Sequence, residues 1–182
     1  MMNNMQRKNR SYTNLYKVIM ILCGIWFVFY SIDAHGQSVD EFECLAKNVY
    51  FEARSESNLS QQAVAWVTLN RLTSNKFPNT ICGVVKQGKK SKWWKDYNGE
   101  DRPVRNSCEF SWYCDGRSDR IHEEDAFMAA RMNAYFVIMV YKRGVDPTNN
   151  ADHYHADYVK PIWGKKEYQT AQLGSHIFYN LP

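Results

Sequence analysis

The stretch DEFECLAKNVYFEAR, Asp40 to Arg54, decides how this chain is read. Its apolar residues Phe42, Leu45, Ala46, Val49 and Ala53 recur at i, i+3, i+4, i+7 and i+11, the period of a helix that buries one face. At about 100° per residue, Glu52 lies about 20° from Leu45 and about 70° from the middle of that stripe. It borders the core near the helix C-terminus, so desolvation and the negative end of the helix dipole both favour a raised pKa. A carboxylic acid kept protonated near neutral pH is what general-acid chemistry requires. A solvated helix-edge glutamate paired with Arg54 or Lys47 fits the same geometry.

Downstream, Ser55, Ser57 and Asn58 break the pattern, and Asn58 with Gln61, or Ser60 alone, can cap a second helix running through Leu72. That helix, QQAVAWVTLNRL, is apolar on all sides and is expected to be buried. Phe77-Pro78-Asn79-Thr80 has turn chemistry, and Lys86 to Gly99, with five lysines around Trp93 and Trp94, reads as a surface loop. EFSWYC, Glu109 to Cys114, reads as a strand entering a tight turn at Asp115-Gly116. A third helix is expected from Glu123 to Arg143, with acids at its start and a left-handed cap at Gly144. Beyond Pro147, short segments rich in Tyr, His, Val and Trp suggest a small sheet. The class is therefore α+β, helices first and strands last.

Upstream, Val18 to Ile32 is a run of 15 uncharged residues behind Arg7, Lys8, Arg10 and Lys17. It would reach only about 22 Å as a helix, short of a bilayer core of about 30 Å, and Ala34 offers a cleavage point. Residues 1–34 thus read as a signal peptide, or as a signal-anchor because Ile32 is a poor residue before the cut, and residues 35–182 as the body. Either way the body lies outside the cytoplasm, periplasmic or extracellular, and an uncleaved leader would tie it to the inner membrane. With four of the 23 basic groups and one of the 19 acidic groups in that leader, the body is nearly neutral. It lacks the basic field of a nucleic-acid binder. Apart from Cys23 in the leader there are four cysteines, Cys44, Cys82, Cys108 and Cys114, enough for two disulfides in an oxidising compartment, with three pairings open. A tetrahedral zinc site from the same four is the competing reading, without CxxC spacing to support it.

Three further constellations could carry chemistry. In a strand, His153 and His155 share a face, and with His176 and a carboxylate such as Asp157 they could hold zinc. Packed or substrate-facing histidines fit the same pattern. Any body cysteine could serve a Cys–His nucleophilic site, although export favours oxidation. The lysine and tryptophan stretch could rest on an acidic polymer or stack on sugar rings, or be simply a solvated charge run.

Six ordered blocks, CLAKNVYFEARSE, QQAVAWVTLNRL, FPNTICGVV, CEFSWYCDG, DPTNNADHYHADYVKPIW and LGSHIFY, span Cys44 to Tyr179. Together they resemble the SleB/CwlJ-type cell-wall hydrolases. The resemblance implies a single lysozyme-like or lytic-transglycosylase-like domain that cuts the peptidoglycan glycan strand between MurNAc and GlcNAc without a cofactor or metal. It also implies that Glu52 is the catalytic acid, that Glu56 or Asp115 could assist, and that Ser111, Trp112, Thr148, His153, Tyr154, His155 and Trp163 line the sugar groove. One carboxyl can act first as acid and then as base, which suits transglycosylation.

The chain departs from the family pattern at Ser55, where glycine is usual and a positive φ would cost about 1 kcal/mol. It departs also at Asn149-Asn150, where asparagine tolerates the left-handed region, and at Glu109, which adds a charge beside the expected groove. Two rival functions fit the same residues. One is a zinc-dependent N-acetylmuramoyl-L-alanine amidase using His153, His155 or His176, and the other is a wall-binding module without catalysis.

Overall fold

The computed structural model describes residues 39–99 and 101–182, so the leader read over 1–34 lies outside the described residues. Helix α1 covers 39–53 and buries Leu45, Ala46, Val49 and Ala53, as its apolar period requires. Helix α2, Asn58–Leu72, has ten buried residues among its fifteen, which makes it the central helix. Its cap is Ser57 rather than Asn58, the Ser57 hydroxyl accepting the Ser60 N–H at 3.3 Å.

After the five-residue α3, Ile81–Val85, the chain forms strand β1, Gly88–Lys90, helix α4, Lys92–Asn98, and strand β2, Pro103–Cys108. The expected loop over Lys86 to Gly99 is therefore ordered secondary structure. Ser91 caps α4 by accepting the Trp94 N–H, and Gly99, at φ 73°, closes it in the left-handed region, so local capping outweighs the lysine content. The strand expected at EFSWYC is instead a 3-10 turn, Ser111–Cys114. Cys108 is bonded to Cys114 with their Cα atoms 6.1 Å apart, whereas six extended residues would span about 20 Å, so the segment must coil.

Helix α5, Glu124–Val140, runs antiparallel to α1, since Arg131 meets Glu43 while the Glu123 N–H reaches the Tyr50 hydroxyl. Gly144 does not take the left-handed cap expected of it. The positive-φ glycines among the described residues are Gly99, Gly116 and Gly174. Ser55 is likewise absent from the positive-φ residues, so it carries no such strain, while Asn149 and Asn150 do sit there, at φ 55° and 60°.

The C-terminal sheet has the order β3-β5-β4, all antiparallel, from His153–Ala156, His176–Tyr179 and Gln169–Leu173. The main core lies among α1, α2 and α5, with Leu45, Val49, Val64, Trp66, Ala134 and Val137 at its centre. A second, smaller core joins the opposite side of α2, Ala63 and Val67, to Ala151 and Phe178 of the sheet region. The cysteines pair Cys44–Cys82 and Cys108–Cys114, which resolves the three open pairings and removes the four-cysteine zinc reading. The first bond ties α1 to α3.

Candidate active site

Glu52 emerges near the end of α1 into a cleft of about 760 Å³ walled by the 3-10 turn, the segment after it and β3. Strand alternation turns Tyr154 away from His153 and His155 and toward the helices, where it packs on Phe178 and its hydroxyl donates to Glu52 Oε2 at 3.0 Å. Burial raises the Glu52 carboxyl to a pKa of about 7, against the opposing pull of the Tyr154 hydrogen bond and of Arg71. Burial also lifts Tyr154 well above the ordinary phenol value, and the adjacent Glu52 adds to this, so the hydroxyl remains a donor.

Arg71, from the end of α2, lies beneath this pair with only 4% of its side chain exposed. Its Nε donates to the Asp152 carbonyl at 2.7 Å, and its guanidinium lies 4.9 Å and 5.0 Å from the ring centres of Phe77 and Phe110. Burial lowers its pKa, and Glu109, whose carboxylate is 3.8 Å from Nη2, is the largest influence opposing that. The charge that Glu109 adds is thus spent on holding a buried cation at the cleft floor.

Ser111, Trp112, Tyr154 and His155 all border the cleft with Glu52. Trp112 is fixed twice. Its ring stacks on Phe51 at 4.5 Å, and its Nε1 donates to Oδ1 of buried Asn48, whose amide in turn donates to Thr68. His155 has Nδ1 2.8 Å from the Ala156 carbonyl and Nε2 3.0 Å from the Tyr179 hydroxyl.

Thr148, His153 and Trp163 do not line the cleft. Thr148 is fully buried, its hydroxyl donating to Asp146 at 2.7 Å to shape the turn before β3. His153 and Trp163 lie on the far face of the sheet, where His153 sits 2.8 Å from Asp152 and 5.5 Å from the Trp163 ring. Among the two candidate assisting carboxylates, Asp115 borders the cleft and accepts the Arg117 N–H at 2.7 Å. Glu56 does not border it; its carboxylate accepts the Ser175 hydroxyl in the two-residue turn between β4 and β5.

That turn depends on Gly174, at φ 58°, where a Cβ would run into the Glu56 carboxylate and the Ser60 hydroxyl. Gly174→Ala is expected to destabilise the body by about 1–3 kcal/mol through strain and collision. Glu56→Gln is expected to cost less and to leave catalysis intact. Urea denaturation midpoints alongside turnover of a soluble glycan measure both effects, and loss of turnover in the glutamine variant would return Glu56 to the chemistry.

The histidines named for zinc are dispersed, with His153 on Asp152, His155 on Tyr179 and His176 packed edge-on against Tyr154 at 5.1 Å. Among the described residues no three His, Cys, Asp or Glu side chains are grouped as metal ligands. Arg71, Asn48 and Phe110 were not singled out by sequence. Arg71 had a signal, being the one charged residue in a helix whose apolar residues cover every side.

The profile of the family described as Cell Wall Hydrolase matches residues 55–179, beginning three residues after Glu52. The spore cortex-lytic enzyme of Bacillus cereus is 30% identical over 145 residues, covering 79% of this chain and 46% of that protein. The spore cortex-lytic enzyme of Halalkalibacterium halodurans is 30% identical, with 80% and 36% covered. The chain thus spans less than half the length of these relatives. Among solved structures, the catalytic domain of the Bacillus cereus SleB protein superposes with a TM-score of 0.55 at 30% identity, covering 77% of this chain and 89% of that one. The catalytic domain of the germination-specific lytic transglycosylase SleB from Bacillus anthracis gives 0.50 at 29% identity, covering 77% and 93%. A profile match over most of the body, on a fold shared with these catalytic domains, places this chain in the cell wall hydrolase family.

Proposed function

We propose that the body cleaves the peptidoglycan glycan strand between MurNAc and GlcNAc as a lytic transglycosylase, with Glu52 as the single acid and base. The observation that carries this is a carboxyl raised to about 7 by burial, opening into a cleft and oriented by Tyr154. Protonated Glu52 gives its proton to the glycosidic oxygen as the C1–O bond breaks through an oxocarbenium-like state. The resulting carboxylate then takes the proton of the muramic C6 hydroxyl, whose oxygen closes on C1 to form the 1,6-anhydro ring. Glu52 ends protonated, ready for the next turn. The SleB neighbour described as a lytic transglycosylase supports this route over hydrolysis. Tyr154 occupies Oε2 and so leaves Oε1 as the face for proton transfer.

Export agrees with this reading. Two disulfides suit an oxidising compartment outside the cytoplasm, with residues 1–34 as the leader that takes the body there. Mass spectrometry of digested peptidoglycan is the direct test. Anhydro-muramic ends are expected, whereas reducing ends would make the enzyme a hydrolase, freed stem peptides would make it an amidase, and no soluble product would leave a wall-binding module.

Cleavage needs Glu52 protonated, so kcat/KM is expected to fall about tenfold per pH unit above about 7. Because the Tyr154 hydrogen bond lowers the Glu52 pKa, Tyr154→Phe is expected to move that alkaline limb upward by about one pH unit. A pH series on soluble glycan fragments measures both, and an unmoved limb in the phenylalanine variant would remove Tyr154 from the positioning of the acid.

A further inference from the structure

Residues 86–108 form an excursion made of β1, α4 and β2. They hold seven basic and three acidic groups, while the whole body is nearly neutral, so positive charge is concentrated here and the remainder carries a net negative charge. Lys86, Lys89, Lys90, Lys92 and Lys95 are all exposed, and of these Lys95 is paired, to Asp101 at 3.0 Å. On α4, Trp93 and Tyr97 are 68% and 77% exposed. Their rings are nearly parallel, 3° apart with centroids at 5.5 Å, so they stack on each other, and neither belongs to the core clusters of the described residues. Trp94, next to them, is braced by Arg102 at 4.5 Å from its ring centre. The excursion is continuous with the cleft wall, because β2 ends at Cys108, which is bonded to Cys114 around Ser111 and Trp112.

We propose that this excursion is a second holding surface for the peptidoglycan strand, lying outside the cleft and gripping the polymer beyond the bond being cut. This rests on peptidoglycan being the substrate. The strand is an anionic polymer of hexose rings, since its stem peptides carry carboxylates. A lysine-lined surface attracts that charge over a Debye length of about 8 Å, and exposed aromatic faces offer apolar platforms to the sugar rings. The surface adds affinity for long, insoluble wall but nothing for a fragment short enough to sit within the cleft.

The test uses two variants of the full body, Trp93→Ala with Tyr97→Ala, and Lys89→Gln with Lys90→Gln and Lys92→Gln, each checked for an unchanged melting temperature. Sedimentation with purified sacculi is expected to show about tenfold weaker binding for the aromatic pair. The lysine set is expected to bind more weakly too, and to flatten the salt dependence of the parent. Turnover of a soluble tetrasaccharide fragment is expected to be unchanged in both. Sacculus binding equal to the parent would overturn the proposal, as would equal loss on the soluble fragment, which would place these residues in the cleft. Tighter retention on anionic phospholipid vesicles than on sacculi would overturn it in favour of a lipid surface. If the parent binds sacculi through these residues but cuts nothing, the catalytic reading fails while this one stands.

Discussion

Glu52→Gln is expected to remove glycan cleavage, by about 10³-fold or more, while making the folded body more stable above neutral pH. The two effects share one cause. The Glu52 carboxyl titrates near 7 in the folded protein against an ordinary value of 4.5. Between those values the folded state holds a proton that the unfolded chain releases, so stability declines as pH rises from 4.5 through 7 and the full penalty applies above 7. A shift of that size corresponds to about 3 kcal/mol at most. Glutamine never ionises, so it escapes the penalty while keeping the shape of the side chain. Urea denaturation at pH 8 is expected to show the variant as the more stable protein, and at pH 4.5 the difference is expected to vanish. A glutamine variant that cleaves normally would sink the catalytic assignment. One that is less stable at pH 8 would show that the buried carboxylate is structurally welcome and its pKa not raised.

Removing the Cys44–Cys82 bond is expected to cost about 4 kcal/mol, because it closes a loop with a sequence separation of 38. That is a large share of the 5–15 kcal/mol by which a domain is ordinarily stable. The bond anchors the start of α1, the helix that presents Glu52, to α3, so its loss also loosens the acid relative to the cleft. The shorter Cys108–Cys114 loop, with a separation of 6, is expected to contribute about 2 kcal/mol and to act chiefly on the turn bearing Ser111 and Trp112. Denaturation of Cys44→Ser/Cys82→Ser and Cys108→Ser/Cys114→Ser against the parent, with and without reductant, separates the two. Equal midpoints for parent and Cys44→Ser/Cys82→Ser would show that packing alone seats α1.

What could be read from the sequence was what repeats. Three long helices and a C-terminal sheet announce themselves through period 3.6 and period 2, and α1 buries four of the five residues of its apolar stripe, with Phe42 half-buried. What could not be read was what depends on closure. EFSWYC is apolar and short like a strand, and only its disulfide forces it to coil. The lysine-rich stretch is polar like a loop, yet Ser91 and Gly99 bracket a helix within it. The site divides in the same way. Alternation in β3 separated Tyr154 from His153 and His155, but which face would meet Glu52 was a matter of packing. Arg71 was hidden because its partners, the Asp152 carbonyl and Glu109, lie 81 and 38 residues away along the chain. Thr148 looked like a groove residue from the block around it and proved to be a turn-builder.

The hydrogen bond from Tyr154 to Glu52 joins residues 102 apart in sequence. It requires β3, which is held by β5, itself near the end of the chain and paired also with β4. Contacts of such separation form late in folding, after the loops they close have lost their freedom. If the body is exported N-terminus first, as proposed, Glu52 leaves the channel well before the strand that carries Tyr154. Until β5 has joined the sheet and seated β3, Glu52 lacks its Tyr154 partner and the full burial that raises its carboxyl, and on the proposed mechanism it has no retained proton to give. On that reading the body is silent during its own delivery, and activity arrives with the completion of the fold.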